Sequence, residues 1–127
     1  TGYDFVVDRR YTKDDIYHIC RVPVERQKGN WNTGYTNWQG DWFIFCNIGV
    51  AGRTGHDYNN RFQDSQLHWY GKTSSHLGQS SIRSMLRPTG KIHIFYRTDD
   101  RSPFNYGGAA TAVAYKDTIP VQITWGF

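Results

Sequence analysis

Two polar segments rich in aromatic residues contain the side chains best suited to bind a ligand. Residues 27–40 read QKGNWNTGYTNWQG, residues 51–65 read AGRTGHDYNNRFQDS, and an apolar run lies between them. Loops longer than about 12–15 residues in a compact domain are usually functional. Their rings could stack on nucleobases or cage another ligand, although aromatic residues also favour β-strands. The two segments therefore predict a binding site around the run that separates them.

The positive charge of the chain is confined to its middle. Residues 1–52 contain six basic and six acidic residues, and residues 102–127 contain one of each. Residues 53–101 contain eight basic residues and four aspartates. Arginine outnumbers lysine ten to five, and its planar guanidinium binds phosphates through two hydrogen bonds at once. This distribution favours a polyanionic partner, although an ordinary solvated surface could also carry the net charge of +4.

Residues suited to catalysis are scarce. Glu25 is the single glutamate, and no aspartate stands in the clustered carboxylate pattern of a metal-dependent nuclease. The five histidines do not repeat at metal-ligand spacing together with a cysteine. His56 and Asp57 are adjacent, but no nucleophile motif accompanies them. We therefore expect a binding domain that is not an enzyme and that needs neither a metal nor a cofactor.

The length of 127 residues fits one domain, and we assign residues 1–127 to it. The chain begins at Thr1 without a signal-peptide pattern, and no apolar run approaches the ~20 residues of a membrane helix. These features predict a soluble, cytoplasmic domain cut from a longer protein. Cys20 and Cys46 stand in apolar surroundings, which favours buried free thiols, and a disulfide between them stays an alternative.

The pattern of apolar and turn residues predicts an α+β domain that is mostly β. The predicted strands cover residues 3–7, 42–50, 66–70, 92–97, 106–115 and 121–125, and the last two form a hairpin. Thr12 and Asp15 form a capping box for a helix through Cys20, and a second short helix is predicted over residues 80–86. We expect a small twisted sheet or partly open β-barrel with both helices on one side.

Several motifs of the chain resemble those of a known family. In order, these are HWYG at 68–71, IHIFYR at 92–97, PFNYG at 103–107 and IPVQITW at 119–125. Together with GNWNTGY and AGRTGHDYNN upstream, they resemble the C-terminal reader domain of SauUSI-like type IV restriction enzymes, over nearly the whole chain. The resemblance implies a relative of the SRA and PUA-like β-barrels, which hold a flipped base.

The same resemblance implies a bacterial or archaeal phage-defence protein. In such a protein this domain would bind double-stranded DNA that contains modified cytosine, either 5-methylcytosine or 5-hydroxymethylcytosine. It would thereby direct a fused nuclease or helicase to that DNA. The domain itself would supply recognition and no catalytic centre.

The resemblance and the physics of base flipping assign roles to loop residues. Flipping costs a few kcal/mol, which stacking and hydrogen bonds in a pocket must offset. The predicted base pocket consists of Trp31, Asn32, Tyr35, Trp38, Asp57, Tyr58 and Asn60. The predicted contacts to the DNA backbone are Arg53, Arg61, Lys72, Arg83 and Arg87. Asp57 is the first choice as acceptor for the cytosine amino group and Asp41 the second. Trp42, Trp69 and Trp125 are expected in the core.

Two other functions fit parts of the sequence. One is a binding module for a methylated RNA base, a nucleotide or a modified peptide, held in an aromatic cage. The basic segment 53–101 favours nucleic acid over a cationic peptide. The other is a small nuclease, which cleavage of modified DNA in the presence of a divalent metal would support.

Overall fold

The computed structural model describes residues 2–49 and 60–127. Its strands, in chain order, are β1 Arg10–Tyr11, β2 Tyr35–Trp38, β3 Asp41–Asn47, β4 Arg61–Gln63, β5 Gln66–Tyr70, β6 Ile92–Arg97, β7 Phe104–Lys116 and β8 Gln122–Gly126. Its helices are α1 Lys13–Cys20 and α2 Ser80–Leu86, and single 3₁₀ turns cover Val24–Arg26 and Gly29–Asn32. The described residues are mostly β with two short helices, which confirms the predicted fold class.

The strands form one twisted sheet in the order β2-β3-β6-β7-β8-β5-β4, and β1 adds to β7. β3 and β6 are parallel, whereas β7 runs antiparallel to both of its long neighbours. The first half of the 13-residue β7 pairs with β6 and its second half with β8, and the register shifts once in each pairing. Such irregularities bend a strand and increase its twist. β7 therefore connects two parts of a curved sheet.

Alternate residues of β3 enter two hydrophobic cores, so this strand is buried on both faces. Trp42, Ile44 and Cys46 enter the first core, which also contains Leu67, Trp69, Ile82, Met85, Ile92, Ile94, Val121, Ile123 and Trp125. Phe43 and Phe45 enter the second core, which also contains Tyr11, Ile16, Tyr17, Cys20, Trp31, Phe95, Phe104 and Tyr106. Ile82 and Met85 belong to α2, and Ile16 and Tyr17 to α1. The helices thus cover opposite faces, and the prediction that both lie on one side is wrong.

The sheet curls until strands from its two ends are in contact. The rings of Tyr35 on β2 and Trp69 on β5 lie 5.4 Å apart between centroids, although β3, β6, β7 and β8 stand between these strands in the sheet. The side chain of Asn60 donates to the carbonyl of Asn47 and accepts from the amide of Tyr70. Within the described residues no ladder joins β2 to β4, so the sheet stays open.

The N-terminal segment differs from the prediction. Residues 3–7 do not form a strand; the pairing with β7 is made by Arg10 and Tyr11 instead. Phe5 lies 5.2 Å from both Phe95 and Tyr106 between ring centroids. The apolar side chains that suggested a strand therefore cover the second core from outside the sheet.

Helix α1 begins and ends where the sequence indicates. Thr12 accepts from the amide of Asp15, and the carboxylate of Asp15 accepts from the amide of Thr12, so the capping box is confirmed. Arg21 ends the helix in the left-handed conformation. Cys20 and Cys46 are buried and free, as favoured from the sequence, and burial raises the pKa of each thiol to about 12.

Candidate functional site

Of the four rings in the predicted base pocket, the three that the structure describes do not face one pocket. β2 directs Tyr35 into the first core and Trp38 to the edge of the second. Trp31 is 3% exposed, and its ring lies 5.3 Å from the rings of Tyr17 and Phe43. Tyr35 is 5% exposed. Trp31 and Tyr35 are thus core residues on opposite faces of the sheet, and neither presents an open ring to a base.

The polar members of the predicted base pocket are also dispersed. Asn32 is exposed at the end of a 3₁₀ turn. The side-chain amide of Asn60 is occupied, because it donates to the carbonyl of Asn47 and accepts from the amide of Tyr70. Asp57 and Tyr58 lie outside the described residues, as does the predicted backbone contact Arg53.

Lys72 stands beside Tyr35 at the edge of the first core. Its ammonium lies 4.4 Å from the centroid of the Tyr35 ring and 3.4 Å from the side-chain oxygen of Asn30. Burial lowers the pKa of Lys72 from its ordinary value. Burial also raises the pKa of Tyr35, and a hydrogen bond from the amide of Lys72 opposes that shift. The contact with the Tyr35 ring favours the ammonium form of Lys72, which burial disfavours.

The remaining predicted cations divide between two sides of the molecule. Arg83 and Arg87 are exposed, one turn apart, at the end of α2, which packs on the first core. Arg61 is exposed on β4 and pairs across the sheet with His68 on β5. His68 alternates with the core residues Leu67 and Trp69, so it points away from the first core. Arg61 therefore belongs to a different surface from Arg83 and Arg87.

The side of β4, β5, β7 and β8 that faces away from the first core forms a shallow depression, which we call the outer face. Its volume is about 300 Å³. The side chains that define it are Arg61, His68, Tyr70, Lys116, Gln122 and Thr124. Cross-strand pairing places them together, since Thr124 is opposite His68, and Gln122 is opposite both Tyr70 and Lys116. The hydroxyl of Thr124 lies 3.4 Å from Nδ1 of His68.

Of this outer face, the sequence prediction identified only Arg61. A usable signal was present, because QLHWY and QITWG alternate apolar and polar residues with the period of a half-buried strand. The sequence does not show how these strands pair, and it is the pairing that brings the polar residues of both strands to one surface. The predicted site was assigned to long loops and therefore omits these strand residues.

A buried polar network links β3, β6 and β7 beside the second core, where the His93 ring lies 4.9 Å from that of Phe43. Oδ2 of Asp41 lies 2.9 Å from Nε2 of His93, and Nδ1 of His93 lies 2.9 Å from the hydroxyl of Tyr106. Oδ1 of Asp41 accepts from the amide of Lys91. Both carboxylate oxygens of Asp41 are therefore engaged, and the residue is unsuited to the cytosine-binding role for which it was the second choice. At Gly90 a Cβ atom would lie 2.3 Å from Asp41 Oδ1, so only glycine fits there.

The protonation of this network follows from its burial. Burial lowers the pKa of His93 below its ordinary value of 6.5, although the bond to Asp41 opposes the shift. Burial raises the pKa of Tyr106 to about 12, so its hydroxyl is protonated. His93 is then neutral, donates from Nε2 to Asp41 and accepts at Nδ1 from Tyr106. Every polar atom of the His93 ring is thereby satisfied.

This protonation state predicts how stability depends on pH. Because the pKa of His93 is lower in the folded state, the unfolded chain binds the proton first as the pH falls. The free energy of unfolding therefore decreases as the pH falls below 6.5, the ordinary pKa of histidine. The decrease is at most about 1.4 kcal/mol per pH unit for one proton. Urea denaturation at pH 7, 6 and 5 should show this loss, with a shallower slope in His93→Gln. An equal slope in both proteins would rule out His93 as its source.

A second, larger concavity lies on the α1 side. It measures about 890 Å³ and is lined by the N-terminal segment, α1 and the chain after it. Asp4 and Asp14 contribute carboxylates, and His18 and Arg21 contribute basic groups. Its mixed charge is less suited to a polyanion than the outer face, and it contains none of the predicted site residues.

Among residues 2–49 and 60–127, no three His, Cys, Asp or Glu side chains come close enough to hold a metal ion. His93 and Asp41 have the geometry of an ion pair, with 2.9 Å between Nε2 and Oδ2. No helix of the described residues has the length and hydrophobicity needed to cross a membrane.

Comparison with known proteins gives a family and a fold. No curated protein matches the sequence. A solved structure described as a modification dependent TagI restriction endonuclease matches 98% of this chain with a TM-score of 0.52 and 13% identity. The chain spans half the length of that protein, so the likeness shows a shared fold for one part of it. Residues 5–125 match a family of domains, and the chain therefore belongs to the family described as domain of unknown function DUF3427.

Proposed function

We propose that this domain binds double-stranded DNA that carries a modified cytosine and directs a fused nuclease to it. The observation that carries the proposal is the fold, because 98% of the chain matches part of a modification-dependent restriction endonuclease. The excess of basic residues in segment 53–101 supports a polyanionic partner. In this proposal the chain is a reader of the SauUSI-like type IV restriction systems, related to SRA and PUA-like domains.

The proposed recognition is by base flipping, since a modified base inside a duplex presents only its edge. Asp57 and Tyr58, in the segment between β3 and β4, are the proposed contacts to the flipped base. The burial of Trp31 and Tyr35 removes two of the four rings of the predicted base pocket. It also weakens the alternative of an aromatic cage for a methylated ligand, which needs several open rings. Lys72, Arg83 and Arg87 are proposed to contact phosphates on the α2 side.

A panel of matched duplexes tests this proposal. Identical sequences would carry cytosine, 5-methylcytosine, 5-hydroxymethylcytosine, glucosylated cytosine or N6-methyladenine, and binding would be measured by gel shift at one salt concentration. We expect tighter binding to 5-methylcytosine or 5-hydroxymethylcytosine than to the other duplexes. Equal binding to all five would leave a general DNA-binding domain, and binding to none would exclude DNA as the ligand.

A further inference from the structure

Among the described residues, the outer face combines cations with neutral hydrogen-bonding groups, and no carboxylate lines it. Arg61 and Lys116 are exposed, and neither forms an ion pair with a residue that the structure describes. The nearest carboxylates in sequence, Asp64 and Asp117, lie in the connections between strands and not on the strands that form the depression. The two cations make this surface attractive to an anion.

We propose that the outer face is a nucleotide-binding site, which holds one nucleotide unit of a DNA strand. This inference rests on the proposed DNA-binding function. It adds a second DNA contact to the proposed contact of Asp57 and Tyr58 with the flipped base. The phosphates on either side of the nucleotide bind Arg61 and Lys116, and the base lies over the middle of the depression. Gln122, Thr124 and His68 supply the hydrogen-bonding groups there, and Tyr70 supplies an aromatic ring.

The dimensions of the depression agree with such an occupant. A volume of about 300 Å³ is at the lower end of the range for small-molecule pockets, which suits one nucleotide better than a larger ligand. Arg61 and Lys116 stand at opposite margins, on β4 and β7, with β5 and β8 between them. Arg61 is level with Ala114 on β7, two residues from Lys116. Three strand spacings and these two residues together separate the backbones of Arg61 and Lys116 by about 16 Å. A phosphodiester strand laid across the sheet therefore meets a cation at each margin.

The chemistry in the middle of the depression suits a base. A glutamine amide has both a donor and an acceptor and can pair with a base edge, and a threonine hydroxyl serves as either. Stacking of a base on an aromatic ring is tolerant of sequence. The strands that position these groups are anchored by Trp69, Ile123 and Trp125 in the first core beneath them.

Two variants that change the charge of the outer face in different ways test the site. Arg61→Gln/Lys116→Gln removes two exposed charges, and Gln122→Glu introduces a carboxylate of the same shape in the middle of the depression. The matched control is Arg9→Gln/Arg10→Gln, which removes two exposed charges outside both the outer face and the predicted loop segments. Dissociation constants would be measured by fluorescence anisotropy for 5-methylcytosine and cytosine duplexes over a salt series. Circular dichroism and thermal unfolding would establish that each variant is folded.

We expect both outer-face variants to bind either duplex at least about tenfold more weakly than the control variant does. In Arg61→Gln/Lys116→Gln the slope of log K against log salt should fall by about two, one for each phosphate contact. If the outer-face variants bind as tightly as the control, the proposed site is wrong, even if the wild type prefers modified DNA. If these variants bind more weakly but the wild type shows no preference for modified DNA, the site is supported and modified-base recognition is wrong. No binding by the wild type to either duplex overturns both.

Discussion

Trp31→Ala is expected to lower the free energy of unfolding by about 3–5 kcal/mol, as truncation of a buried aromatic residue usually does. The ring is 3% exposed and contacts Tyr17, Phe43, Phe45 and Trp38 in the second core. Its loss leaves a cavity beneath α1 that the rigid sheet cannot close. Urea denaturation followed by circular dichroism measures the change.

Asn32→Ala is the matched control, because the next residue in the chain is exposed. It should change the free energy of unfolding by less than about 0.5 kcal/mol. The sequence prediction placed Trp31 in the base pocket. A Trp31→Ala protein that kept its stability but lost its preference for modified DNA would support that prediction and contradict a core role for Trp31.

Asp41→Ala is the second substitution with a large expected effect, at about 3 kcal/mol of unfolding free energy. The change removes the acceptor for Nε2 of the buried His93 and for the amide of Lys91. Hydrogen bonds to a charged group contribute about 1.5–3 kcal/mol, and buried donors left without acceptors add a desolvation cost. Thermal unfolding at pH 7.5, where His93 is neutral, measures the loss.

Tyr106→Phe tests the same network from its other end. It removes the donor to Nδ1 of His93 and keeps the aromatic ring in the core. A smaller loss of about 1 kcal/mol is expected, because the bond is between neutral groups. If Tyr106→Phe cost as much as Asp41→Ala, the proposed neutral state of His93 would be wrong.

The sequence predicted the parts of the fold that depend on local pattern. The apolar run of β3, the capping box at Thr12 and the burial of Trp42, Trp69 and Trp125 are all confirmed. Each depends on residues near one another in the chain, where propensity and periodicity act. The arrangement of the helices was beyond such reasoning. It depends on β3 being buried on both faces, and a run of apolar residues does not show which helix covers which face.

The candidate site was harder to predict for the same reason. An aromatic residue in a polar loop, such as Trp31, has the same local signature whether it stacks on a ligand or fills a core. Its burial follows from the packing of α1 on the second core. Conversely, His68 and Lys116 stand 48 positions apart in the sequence and share a surface because β8 lies between β5 and β7. Only long-range pairing reveals that surface.

The ratio of two dissociation constants tests modified-DNA binding most directly. The constants are those of this domain for two duplexes that differ in a single 5-methylcytosine or 5-hydroxymethylcytosine. Contacts to phosphates are common to both duplexes, so the salt-dependent part of the affinity cancels in the ratio. We predict a ratio of at least about tenfold in favour of the modified duplex, corresponding to ~1.4 kcal/mol, that stays constant from low to physiological salt. A ratio of one at every salt concentration would contradict the account.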